Sequence, residues 1–138
     1  MIIIVGVAFW LIRGRGKETG LPSQTQTTGG TQPTAKIKIS GVEVNDFQKG
    51  GVSKNNQGDS LFVNTSDYQI AYIPKDNLFM ISILGSPFTE VQKRAETNFL
   101  RELGIEKEKA CQLKVSITTP YFANPAESGK TYKLSFCQ

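Results

Sequence analysis

The chain has 138 residues, with 16 Lys and Arg against 12 Asp and Glu and a formal net charge of +4, enough for one ordinary domain with extensions. It contains no histidine and only two cysteines. The usual serine and cysteine hydrolase triads are therefore excluded, and so are histidine-containing and four-cysteine zinc sites. We predict no catalytic residue, no metal site and no cofactor.

The positive charge is concentrated next to the first apolar segment, at Arg13, Arg15 and Lys17. The rest of the chain is close to neutral, whereas a nucleic-acid-binding domain would usually present a concentrated basic face. We therefore predict no nucleic-acid partner.

The first segment, Ile2 to Ile12, is an uninterrupted apolar run. As a helix it would cover only about 16 Å of a ~30 Å hydrocarbon core. Phe9-Trp10 followed by basic residues is typical of the end of a membrane span, and a signal peptide would carry its charges before the apolar run. We predict that residues 1–15 are the end of a longer transmembrane helix, so that the lipid bilayer is one partner. The alternative is an apolar strand or helix that packs on the domain.

Residues 16–35 are rich in Thr, Gln, Gly and Pro and contain almost no large apolar side chain. Such a segment cannot bury enough surface to offset its ordering entropy, so we predict a disordered linker. As a flexible coil it would reach about 25 Å. That length would hold a domain just clear of a bilayer surface.

The third part, residues 36–138, shows the patterns of short strands around one helix. The alternation that starts in KIKI changes phase at Ser40-Gly41, where we predict a bulge or break, and residues 45–58 predict a loop. The most apolar stretch, LFMISIL at 78–84, predicts a central strand that is covered on both faces. Further strands are predicted at SLFVN (60–64), YQIAYI (68–73), LKVSITT (113–119) and KTYKLSF (130–136).

One amphipathic helix is predicted after LFMISIL. Ser86 and Pro87 suit its cap and first position, and Gly104 suits its end, with Ile105 folding back onto the last turn. Its apolar stripe consists of Phe88, Val91, Ala95, Phe99 and Leu103. The fold class is therefore α+β, with this helix packed on a mainly antiparallel sheet of about five or six strands. An apolar N-terminal helix and the disordered linker would precede it.

The two cysteines flank the last two predicted strands. If those strands form a hairpin, Cys111 and Cys137 meet at its open end and can form a disulfide. Direct pairing of the two would place Val115 opposite Lys133, which predicts that Cys111 lies just outside the ladder or that a bulge intervenes. The alternative is two buried free thiols. A disulfide would require an oxidising compartment outside the cytoplasm.

The loop from Pro120 to Gly129 is the best candidate for a recognition surface. Tyr121 and Phe122 lie there beside Asn124, and aromatic side chains on long loops are common recognition devices. In the alternative, both rings fold under the loop as a lid on the hairpin.

Two stretches, ISILGSPFTEVQKRAETNFLRELGIEKEKACQLKVSITTPYFANP and YKLSFC, resemble a pattern in uncharacterised single-pass exported proteins of candidate-phylum bacteria. The common features are a strand, an amphipathic helix that ends in Leu-Gly-Ile, an Ala-Cys before a strand, and a terminal Ser-Phe-Cys. The resemblance covers about residues 78–137. It implies membrane anchoring and export, and it implies no activity.

Together these features predict a membrane-anchored extracytoplasmic domain without catalytic activity, which binds or organises another cell-envelope protein. One alternative is an assembly subunit of a pilus or secretion apparatus. Another is a small hydrolase with a Ser–Lys pair, although no G-x-S-x-G nucleophile elbow is present.

Overall fold

The structure, a computed structural model, describes residues 35–138. The predicted transmembrane helix and all but the last residue of the predicted linker lie outside the described residues. Within 35–138, no helix is long and apolar enough to cross a membrane.

The described part contains a two-stranded sheet, a five-stranded sheet, two α-helices and a 3-10 turn at Pro74–Asp76. The small sheet pairs β1 (Lys36–Ile39) with β2 (Val42–Asn45). The order in the large sheet is β3 (Ser53–Lys54), β4 (Ser60–Asn64), β5 (Tyr68–Ile73), β6 (Leu78–Ile83) and β7 (Lys114–Thr118). The helices are α1 (Phe88–Leu103) and the single turn α2 (Lys107–Ala110).

Neighbouring strands of the large sheet are antiparallel except for β6 and β7, which are parallel and are connected through α1 and α2. The predicted α+β class with a mainly antiparallel sheet and one long helix is thus confirmed. The prediction of a single sheet differs from the structure, because among the described strands β1 and β2 pair only with each other.

The change of phase at Ser40-Gly41 is a tight hairpin turn between β1 and β2. Both residues have positive φ, 49° and 82°, as a two-residue primed turn requires. Ile39 and Val42 are paired directly across the turn. Both side chains therefore point into the core, which explains the altered alternation.

Helix α1 buries the predicted stripe, and all five of its apolar residues are core residues. Gly104 ends the helix with φ +61°, and the N–H of Ile105 donates to Leu100 O at 3.2 Å, as in a Schellman motif. The predicted start is wrong. The helix begins at Phe88 after Pro87, and no side chain caps its first turn.

Within residues 35–138, strand β6 is fully buried on one face only, which differs from the prediction of two covered faces. Phe79, Ile81 and Ile83 are fully buried, whereas the alternating Leu78, Met80 and Ser82 are only half-buried. Helix α1 packs against β5 and β6. The opposite face of the sheet is therefore the less buried one.

Residues 130–136 do not form the predicted strand. A single bridge joins this segment to β7, with reciprocal 2.8 Å hydrogen bonds between Ile117 and Tyr132. The chain then leaves the sheet, because the N–H of Ser135 donates to the buried carboxylate of Glu96 on α1 at 2.7 Å. The predicted inward positions of Tyr132, Leu134 and Phe136 are retained, since Leu134 is buried and the two rings pack against the core.

Cys111 and Cys137 lie at disulfide distance, with their Cα atoms 5.5 Å apart. Cys111 follows α2 and precedes β7, so it lies outside the strand, although the predicted hairpin ladder is reduced to a single bridge. The Ile117–Tyr132 bridge shifts the register by one residue from direct cysteine pairing. No ladder pair follows this bridge towards the cysteines, so the mismatched pairing of Val115 with Lys133 does not form.

Candidate recognition site

The loop that follows β7 consists of two consecutive turns. In the first turn, the N–H groups of Ala123 and Asn124 donate to Pro120 O at 3.1 and 3.2 Å. In the second, the N–H groups of Glu127 and Ser128 donate to Asn124 O, both at 3.0 Å. These bonds pair four of the loop's backbone N–H groups within the loop itself, which gives the loop a defined conformation.

Asn124 anchors this loop to the end of β6. Its side chain is 7% exposed, and Nδ2 donates to Gly85 O and to Thr119 Oγ1, each at 2.9 Å. The hydroxyl of Thr119, which is also buried, donates in turn to Ile83 O at 2.7 Å. The sequence groups Asn124 with the two aromatic residues as a candidate contact. The structure instead places it under the loop, where it is a supporting residue.

A second anchor lies at the other end of the loop. The Tyr132 hydroxyl donates to Glu127 Oε2, and the Lys130 ammonium contacts the same oxygen at 3.2 Å. The Tyr132 ring packs on Phe88 at the start of α1, with ring centroids 4.9 Å apart. The hydrogen bonds from Tyr132 and Lys130 hold the pKa of Glu127 below its ordinary value, and they raise the pKa of both donors.

The pKa of Glu127 predicts that this anchor weakens in acid. Because its folded pKa lies below the ordinary value of 4.5, its contribution is complete above that pH and is lost as the pH falls through the lowered pKa. An NMR titration of the Tyr132 ring signals should show a midpoint below 4.5. The same signals should show no acid titration in Glu127→Gln, and an acid midpoint at or above the ordinary value would contradict the assignment.

Tyr121 and Phe122 are the two most exposed large apolar side chains of the described residues. They are 73% and 79% exposed, and Val52 follows at 58%. The alternative in which both rings fold under the loop is therefore wrong. The loop is fixed by buried polar contacts, and it presents two adjacent aromatic rings to solvent.

A shallow cleft lies beside the aromatic pair, between the loop and the start of α1. Its volume is about 330 Å³, and its lining is mostly small and uncharged, with residues 86–89 on one side and 123–127 on the other. Glu127 is its only charged lining residue, and that carboxylate is occupied by Tyr132 and Lys130. A ligand for this surface would therefore be recognised mainly by shape and apolar contact.

The loop lies at the end of the domain opposite the point where the chain enters. Ala35 O accepts a hydrogen bond from the N–H of Asp46 at 2.7 Å, and the adjacent Asn45 donates to Glu102 O in the last turn of α1 at 3.2 Å. The aromatic loop instead contacts the start of α1. The helix has 16 residues and is about 24 Å long, so the aromatic loop lies about one helix length from the point where the chain enters.

Sequence reasoning identified the exposed pair and missed its supports, Thr119, Glu127 and Tyr132. The Asn124-Pro125 dipeptide could have signalled the buried role of Asn124, because Asn side chains at turns commonly bond to nearby backbone groups. Comparison of the chain with protein-family models, with curated proteins and with solved structures gives no significant match.

Proposed function

We propose that this protein is a single-pass, membrane-anchored extracytoplasmic domain that binds another cell-envelope protein through Tyr121 and Phe122 and has no catalytic role. The observation that carries the proposal is the exposure of both rings on a loop fixed by Asn124 and Glu127. Aromatic side chains on a preorganised support are frequent binding hot spots, because little conformational entropy is lost on binding.

The place of the loop supports a partner at a distance from the membrane. With the tether at the Ala35 end, the aromatic pair would lie at the far end of the domain, beyond the length of α1. The preceding linker would add about 25 Å of reach. This arrangement suits a domain that contacts a protein above the bilayer surface and not the lipid itself.

The cysteine pair supports the extracytoplasmic location. Cys111 and Cys137 lie at disulfide distance, and disulfides persist in oxidising compartments and are rare in the cytosol. The resemblance to single-pass exported proteins points to the same location.

The Ser–Lys hydrolase alternative has less support. A lysine can serve as a general base when burial lowers its pKa, and every lysine within residues 35–138 is exposed. No particular feature of the described residues favours a hydrolytic site.

A thiol-labelling gel shift tests the location. Membranes from cells that express the full chain are denatured and treated with a bulky maleimide, with and without prior reduction. We expect the chain in the membrane fraction, with both thiols labelled only after reduction, and Cys137→Ser should give one label without reduction. A soluble chain whose thiols label without reductant would contradict both the anchor and the location.

A further inference from the structure

The less buried face of the five-stranded sheet has a contiguous apolar centre. Register places Leu61, Ala71 and Met80 next to one another on β4, β5 and β6, and it pairs Ile73 with Leu78 in the adjoining row. All five side chains are half-buried, although they alternate with fully buried core positions such as Ile70 and Phe79. These five residues form the sheet patch.

The surroundings of the sheet patch are polar and nearly uncharged. Gln69, Ser82 and Thr118 form the neighbouring row, and Ser116 lies beside Met80 on β7. Among the strand residues that the structure describes on this face, Lys114 alone carries a charge. An apolar centre with a polar rim is the usual anatomy of a protein interface.

We infer that the sheet patch binds a second copy of this chain, face to face. A twofold interface opposes each surface with itself, so it requires a patch that can face its own copy without like-charge repulsion. The neutral rim and apolar centre of this face meet that requirement. A partner selected by charge would require complementary charges, which the strand residues described on this face do not offer beyond Lys114.

The orientation of the sheet patch within the domain is compatible with the pairing of two copies side by side. Strands β5 and β6 run along the sheet between the Ala35 end and the aromatic loop, so the patch points sideways from the line that joins the two ends. If the domain is anchored as proposed above, neighbouring copies on one membrane present this face to each other. The aromatic loops of both copies then stay free for their own partner.

The size of the face predicts a weak pair. The sheet has five strands spaced by about 4.8 Å, and most of them contribute about five residues spaced by about 3.4 Å, so the face has an area of roughly 400 Å² per copy. The total is below the ~1,200 Å² of stable complexes, so the pair depends on the local concentration that a common membrane provides. A face-to-face pair closes at two copies and does not extend into a filament.

Site-specific photo-cross-linking of the full chain in its membrane tests the inference. Gln69 on the rim is replaced by p-benzoylphenylalanine, two differently tagged copies are co-expressed, and Thr97 on the exposed side of α1 is the matched control position. We expect an adduct of twice the chain mass that carries both tags from position 69 and not from position 97. An adduct with a different protein, no adduct, or equal adducts from both positions would overturn the inference.

The introduction of opposite charges at position 80 in two separate variants gives the second test. Met80→Lys and Met80→Glu should each reduce the position-69 adduct about fivefold or more, because like charges then face each other. Co-expression of the two variants should restore it, and retained protection of Cys111 and Cys137 from maleimide shows that both variants fold. Failure of the mixture to restore the adduct would overturn the inference. That result would leave the proposed location and aromatic loop intact, because their tests do not involve this face.

Discussion

Replacing Phe79 by alanine should lower the free energy of unfolding by about 3–5 kcal/mol. Phe79 is completely buried on β6 at the centre of an aromatic cluster. Its ring centroid lies 4.8 Å from Tyr72, 5.2 Å from Phe99, 5.5 Å from Phe47 and 6.1 Å from Phe62. These neighbours come from the sheet, the helix and the segment after β2, so they cannot all close the cavity that the substitution leaves.

Urea unfolding followed by circular dichroism measures this loss, and Phe122→Ala is the matched control. Both variants remove the same atoms, but Phe122 is 79% exposed, so its loss should lie within about 0.5 kcal/mol of zero. Similar losses for the two variants would contradict the assignment of Phe79 to the core and Phe122 to the surface.

Removal of the disulfide should have the next largest effect. A bond between Cys111 and Cys137 would join residues 26 positions apart, for which the chain-entropy model gives about 3.5 kcal/mol. The double variant Cys111→Ser with Cys137→Ser should unfold at a correspondingly lower urea concentration. The C-terminal segment should loosen first, because a single bridge at Tyr132 joins it to β7 and side-chain packing and the contacts of Ser135 with Glu96 hold the rest of it.

Ser135→Ala provides the comparison for this loss. It removes the hydroxyl contact with Glu96 and keeps the disulfide, so it should lower the free energy of unfolding by only about 1 kcal/mol. A double cysteine variant as stable as the parent chain would contradict a bonded Cys111–Cys137 pair.

Local periodicity accounts for the parts of the fold that the sequence predicts well. The stripe of α1 and its stop at Gly104 depend on spacing and on one residue with positive φ. Strands β4 to β7 follow from short runs of apolar, β-branched and aromatic residues. Each of these signals lies within a few neighbouring residues, so no knowledge of distant contacts is needed.

The wrong predictions concern segments whose structure depends on contacts between residues that are distant in the sequence. KTYKLSF has a strand pattern, but Glu96 binds Ser135 across 39 positions in the sequence and draws the segment towards α1. The apolar run in β6 predicts two covered faces, whereas the described residues cover one. Sequence alone does not show that a buried carboxylate competes for a backbone N–H, or that a face is left for another surface.

In the candidate site, too, the sequence predicts what depends on neighbouring residues and misses what depends on distant contacts. The sequence identifies Tyr121 and Phe122 because aromatic residues in a Pro- and Asn-containing loop are conspicuous. It cannot decide whether the rings point out or in, since that depends on Asn124 reaching Gly85 at the end of β6. It misses Glu127 for a similar reason, because the contact with Tyr132 forms only when the chain returns to β7.

The most direct test of the proposed function compares two full-length variants after chemical cross-linking in intact cells and affinity purification. One combines Tyr121→Ala with Phe122→Ala, and the other, Val52→Ala, removes a different exposed apolar side chain. We expect one discrete envelope protein to co-purify equally with the parent chain and Val52→Ala, and about tenfold less with the double variant, because aromatic hot spots carry much of the binding energy. Equal recovery with all three chains would contradict recognition by the aromatic loop.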